Sequence, residues 1–140
     1  MNDIGLLCSL SMDGIQLKIL TGSTDMNFGA VYENYVAQEL TAHGFETLYY
    51  YNSKKRGEVD FLVEHDGAVL PIEVKSGKNH TAHAALDNLM AEAEFNIPSA
   101  WVLSRNKEVA TKGRTTSLPI YFLMFLERES LTKPLLYRVE

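Results

Sequence analysis

Residues 57–75 read Gly57-Glu58-Val59-Asp60-Phe61-Leu62-Val63-Glu64-His65-Asp66-Gly67-Ala68-Val69-Leu70-Pro71-Ile72-Glu73-Val74-Lys75. Val59, Phe61 and Val63 alternate with Glu58, Asp60, Leu62 and Glu64. Leu70, Ile72 and Val74 alternate with Pro71, Glu73 and Lys75, so both halves carry the period of two that marks strands. Asp66-Gly67 between them is a strong hairpin signal, because a two-residue type I′ turn needs positive φ at both central positions. With that turn, Asp60 lies across from Glu73 and Glu58 across from Lys75, and opposed residues share a face. Leu62:Pro71 and Asp60:Glu73 then fall at non-hydrogen-bonded sites, where the missing N–H of a proline points away from the partner strand.

This register sets two carboxylates about 5 Å apart at Cβ, with Lys75 two residues along. Acids so placed repel and require a counter-charge. The candidates are Lys75 and a bound divalent cation, for which hard carboxylate oxygens are suitable ligands. A solvated face with a cross-strand ion pair is the alternative, but it explains neither the paired acids nor the apolar residues around them.

The chain has 140 residues, 46% hydrophobic and 22% charged, which fits one globular domain. A single cysteine, Cys8, excludes an intrachain disulfide and suggests a cytoplasmic protein. The apolar opening from Ile4 to Met12 is too short to span a bilayer and lacks the basic flank of a secretory signal, so no membrane partner is expected. It also suggests a fragment of something longer. A net charge of −5 argues against sequence-independent phosphate binding, and nucleic-acid contact would need a local basic cluster, a metal or a partner.

Asp3 to Met12 reads as a short helix, and Ile15 to Leu20 as a helix turn or a strand. Asn27 to His43 is the best helix: Asn27 can cap it, Phe28, Val31, Tyr32, Tyr35, Val36 and Leu40 form one apolar face, and Gly44-Phe45 stops it. Of its two acids, Glu39 falls in the middle of that face and Glu33 at its edge, so the helical wheel favours Glu39 as an inward carboxylate. Thr47 to Tyr51 predicts a strand, followed by a basic turn. In it, Lys54, Lys55 and Arg56 beside three tyrosines are candidates for a phosphate backbone with stacked bases, against the plainer reading of a soluble loop. Thr81 to about Glu94 predicts a helix with Ala84, Ala85, Leu86, Leu89, Met90 and Ala93 inward, and His80 and His83 exposed at its start. Ala100 to Leu103 predicts a buried strand, parallel to the Glu73 strand through a βαβ crossover. Arg105 to Thr116 reads as a loop or short strand, Pro119 to Glu127 as a final buried helix with a strand as the alternative, and Leu135 to Val139 as an edge strand or tail.

Asp60, twelve intervening residues and then Glu73-Val74-Lys75 resemble the PD-(D/E)XK nuclease core. Tyr32-Glu33, Leu40 and Gly44-Phe45 resemble the first helix of archaeal Holliday-junction resolvases in that superfamily, which nominates Glu33 over Glu39. Asp3-Ile4-Gly5-Leu6-Leu7, residues 29–40, Gly57-Glu58-Val59-Asp60-Phe61 and Leu70-Pro71-Ile72-Glu73-Val74-Lys75-Ser76-Gly77-Lys78 are similar to the uncharacterised C-terminal domain of bacterial and archaeal AAA-type ATPases. The resemblance implies an α/β, restriction endonuclease-like mixed sheet flanked by helices: a helical lead-in at 1–26, a nuclease-like core at 27–104 and a C-terminal helix and tail at 105–140. It further implies Mg²⁺ or Mn²⁺ held by Asp60, Glu73, the Val74 carbonyl and Glu33, with Lys75 orienting a water for DNA hydrolysis. The implied partners are DNA and the ATPase and winged-helix domains that precede such a module. A non-catalytic module on the same fold is the alternative.

Overall fold

A computed structural model describes residues 28–77 and 83–128 together with the single position Gly5. The expected helix over Asp3–Met12, the segment 15–20, the Asn27 and Thr81 caps, His80 and the strand or tail at 135–139 lie outside the described residues.

The chain is α/β, with a six-stranded mixed sheet flanked by helices. Helix α1 spans Gly29–Ala42 and ends as the Gly44-Phe45 pair predicts. The Phe45 N–H donates to the Leu40 carbonyl at 3.0 Å and the Gly44 N–H to that of Thr41 at 3.1 Å, with Gly44 at φ +90°. Phe45 is thereby folded back into the core.

Strands β1 (Tyr49–Ser53), β2 (Gly57–His65) and β3 (Ala68–Lys75) form an antiparallel meander. Asp66 at φ 52° and Gly67 at φ 69° make the expected turn, and Leu62 faces Pro71 as the register requires. Helix α2 (Ala84–Met90) leads to β4 (Ala100–Ser104), which runs parallel to β3 from Ile72↔Trp101 onward. Pro71 sits one residue before that ladder, so its missing donor costs no hydrogen bond on either side. Two further strands, β5 (Ala110–Lys112) and β6 (Thr115–Pro119), form a hairpin that adds β6 parallel to β4. The strand order is β1-β2-β3-β4-β6-β5.

The two sides of the sheet carry separate cores. Val36 and Leu40 of α1 pack with Val63, Leu70, Ile72, Val74 and Leu103. Leu86, Leu89 and Met90 of α2 pack with Val59, Ala100 and Val102. Val59 therefore does not share a side with Val63, against the strict alternation expected from sequence. The cause is a bulge: Tyr49 pairs with Leu62 and Tyr51 with Val59, so Tyr50 alone faces both Asp60 and Phe61.

Two expected helices are corrected, and the stretch 105–116, read as a loop or short strand, takes the strand form. The helix forecast over 81–94 closes at Met90, with a 3₁₀ turn at Ala93–Phe95, and Ala84 and Ala93 are exposed. The polar stretch 105–116 supplies β5 and the start of β6. The final helix is a 3₁₀ helix at Ile120–Phe125, in which Leu123 is buried but Tyr121, Met124 and Phe125 stand exposed, because Leu118 and Pro119 are spent closing β6.

Gly57 opens β2 at φ +93°, and a Cβ there would lie 2.9 Å from the Ala85 Cβ of α2. Gly67 has φ +69° and open space around it. Gly57→Ala is expected to destabilise the fold by about 1–3 kcal/mol, and Gly67→Ala by less, as read from urea midpoints at unchanged slope.

Candidate metal site

The β2–β3 ladder ends at Phe61↔Ile72. Beyond it β2 stays with β1 through Val59↔Tyr51 and Glu58↔Asn52, while β3 stays with β4 through Glu73↔Val102 and Lys75↔Ser104. The two strands part as a fork, and Asp60 stands in its crotch. Asp60 Oδ2 accepts the Val74 N–H at 2.6 Å, taking the donor that an unbroken ladder would have aimed at Val59. The fork lies at the carboxyl end of β3, where open α/β sheets present ligands.

Glu73 is 6% exposed, and its Oε1 accepts from Lys75 Nζ at 2.6 Å. Its Oε2 is buried with no hydrogen-bond partner among the described residues. Burial pushes the Glu73 pKa up, opposed by the Lys75 hydrogen bond, raised again by Asp60, and eased by the charges of Lys75 and His83. Asp60 is raised by burial, against the Val74 N–H and Lys75, with Glu58 adding to the rise. Glu33 is raised by burial and then by the charges of Asp60 and Glu58. The fork thus gathers acids whose charges oppose one another.

The placement of the predicted residues follows. Asp60, Glu73, Val74 and Lys75 come together, and Glu33 reaches the field of Asp60 from α1. Glu39, which the helical wheel favours, is instead drawn to His43 at 3.7 Å, one turn along. Glu58 does not pair with Lys75; it accepts from the Asn52 amide across β1. Lys54 and Lys55 are exposed at the β1–β2 turn, whereas Arg56 Nη2 bonds Glu92 Oε1 at 2.7 Å. The Arg56 carbonyl also accepts from Asn88 Nδ2 at 3.3 Å, so this residue anchors the turn to α2.

Sequence reasoning missed two contributors. Glu58, which the hairpin register had set across from Lys75, is part of the acidic field around Asp60 and Glu33. His83, expected to be exposed, has a side chain 16% exposed, with Nδ1 3.1 Å from Asp87 Oδ1. The His-x-x-x-Asp spacing at a helix start was the available signal.

A buried carboxylate oxygen without a donor, beside a second carboxylate, suits a hard dication such as Mg²⁺ or Mn²⁺. Among the described residues, no three His, Cys, Asp or Glu side chains are arranged to hold a metal ion.

The fold and fork define an α/β domain with an acidic site at the end of its central strand. Residues 28–123 match the model of a domain of unknown function (DUF4143), and the chain belongs to that family. No curated protein and no solved structure matches it. Among the described residues, no helix is long and apolar enough to cross a membrane.

Raised carboxyl pKa values carry a defined sign. The folded state holds the Asp60 proton to higher pH than the unfolded chain, so the site costs stability as pH rises through the unfolded value toward the folded one. Asp60→Asn keeps an oxygen for the Val74 N–H and removes the charge. It is expected to raise the melting temperature above pH 6 and to leave it nearly unchanged below the unfolded Asp value of about 4, as followed by thermal melts across pH.

Proposed function

We propose that this chain is a metal-dependent nuclease domain on a restriction endonuclease-like, PD-(D/E)XK-type core that hydrolyses DNA phosphodiester bonds. The observation that carries the reading is the fork itself: Asp60 tied to Val74, beside a buried Glu73 whose free oxygen and Lys75 partner point to one chemistry. Asp60, Glu73 and the Val74 carbonyl would hold Mg²⁺ or Mn²⁺, with Glu33 supporting that set. The bound cation supplies phosphate polarisation and a water of lowered pKa. Lys75, 2.6 Å from Glu73 Oε1, would orient the attacking water. Glu33 and Glu58 add to the negative field around Asp60. Cytoplasmic work beside an AAA-type ATPase and a winged-helix segment completes the proposal.

A second reading has its own support. The net charge is −5, Lys75 already satisfies one oxygen of Glu73, and no three acids are arranged to hold a metal ion among the described residues. These features favour a non-catalytic module that uses the fold to bind nucleic acid, a protein or the companion ATPase.

Incubation with plasmid, single-stranded and branched DNA in Mg²⁺ or Mn²⁺ separates the two. Cleavage reduced at least about 100-fold in Lys75→Ala is expected for the enzyme. Metal-independent cleavage, or equal rates in the variant, would sink it. Cation binding has a separate readout: about 2.7 kcal/mol of stabilisation at a hundred times the dissociation constant, lost in Asp60→Asn.

A further inference from the structure

On the turn side of the β2–β3 ladder lies a cleft between the start of β1, the Gly67–Val69 end of the hairpin and the 3₁₀ turn after α2. Tyr49, Tyr50, Leu62, Val69, Phe95 and Asn96 line it. Three of its aromatic rings are open to solvent: Tyr49 is 63%, Tyr50 72% and Phe95 48% exposed. Aromatic side chains clustered on one exposed patch mark interaction surfaces. Phe95 is braced edge-on by Tyr51, with ring centroids 6.5 Å apart.

We infer that this cleft stacks the unpaired bases of a single-stranded DNA segment, with its backbone led along β1 toward Lys54 and Lys55. The inference rests on the nucleic-acid reading above and names its substrate class as unpaired strands. Flat rings with free faces accept any base, a recognition that needs no hydrogen-bond code. The cleft's charged lining residue, Glu64, repels phosphate, so the contact there is to bases. Lys54 and Lys55, exposed and without an ion pair among the described residues, supply the complementary charge. At about 3.3 Å per strand residue, Lys54 stands about 13 Å along β1 from Tyr50.

Tyr50 is also the residue that faces the Asp60–Phe61 bulge. An added peptide strand is the less suitable occupant of this edge, because a bulge and flanking lysines are devices that blunt strand pairing.

Fluorescence anisotropy with the full chain, a labelled oligothymidine and a duplex of the same length, in EDTA, tests this. The single strand should bind more tightly than the duplex. Tyr50→Ala should raise Kd about five- to a hundredfold, Phe95→Ala should act in the same direction, and Tyr50→Phe should hold Kd within about twofold. Replacing Lys54 and Lys55 together by Ala should flatten the salt dependence by about 1.4 in log–log slope. Duplex preference, or wild-type affinity in Tyr50→Ala with its fold intact by circular dichroism, overturns the inference. The two proposals fail separately: Tyr50-dependent binding without any cleavage leaves the cleft standing and removes the hydrolase. Lys75-dependent cleavage with strand binding indifferent to Tyr50 does the reverse.

Discussion

The hydrogen bond from the Val74 amide to Asp60 Oδ2 is the constraint on which the middle of this sheet depends. At that point β2 and β3 leave each other for their outer neighbours. A separating pair of strands strands a donor, and leaving one buried without an acceptor costs about 1–3 kcal/mol. A carboxylate side chain supplies the acceptor that backbone geometry has withdrawn. The bulge opposite Tyr50 shifts Asp60 into reach and sends Val59 to the α2 side. One inserted residue thereby serves both the packing of α2 and the assembly of the acidic site.

The remaining electrostatics are unfavourable in the folded chain by itself. Burial raises the pKa of Asp60 and of Glu33, the charge of Glu58 adds to both and that of Asp60 to Glu33, and Glu73 is almost fully buried. Lys75 and His83 offset part of this. Functional sites commonly hold such unrelieved groupings, with the surrounding core supplying the stability they consume. Here that support comes from two apolar layers, one on each side of the sheet.

Much of the fold was legible because its signals are local. Asp66-Gly67 dictates its own dihedrals and, with them, the pairing of every residue from Phe61 to His65. Gly44-Phe45 likewise stops α1 by chemistry contained in six residues. The bulge was not legible: Val59, Phe61 and Val63 are all apolar and acceptable on either side, so an extra residue leaves no mark in the pattern. The β5–β6 hairpin hid in a polar stretch because both of its strands lie at or beside the sheet edge, where threonines such as Thr111 and Thr116 can bond each other outside the core. The choice between Glu33 and Glu39 required knowing that His43 lies one turn beyond the latter. A helical wheel records angle, not which neighbour claims a charge.

The C-terminal end of α1 is stitched to residues far along the chain: His43 Nδ1 lies 2.6 Å from the Leu126 carbonyl, and Arg128 Nη1 donates to the Gly44 carbonyl at 3.2 Å. Losing either contact would loosen this end of α1 from the segment that follows the 3₁₀ helix, while Asp60 keeps its own tie to the Val74 amide within the sheet.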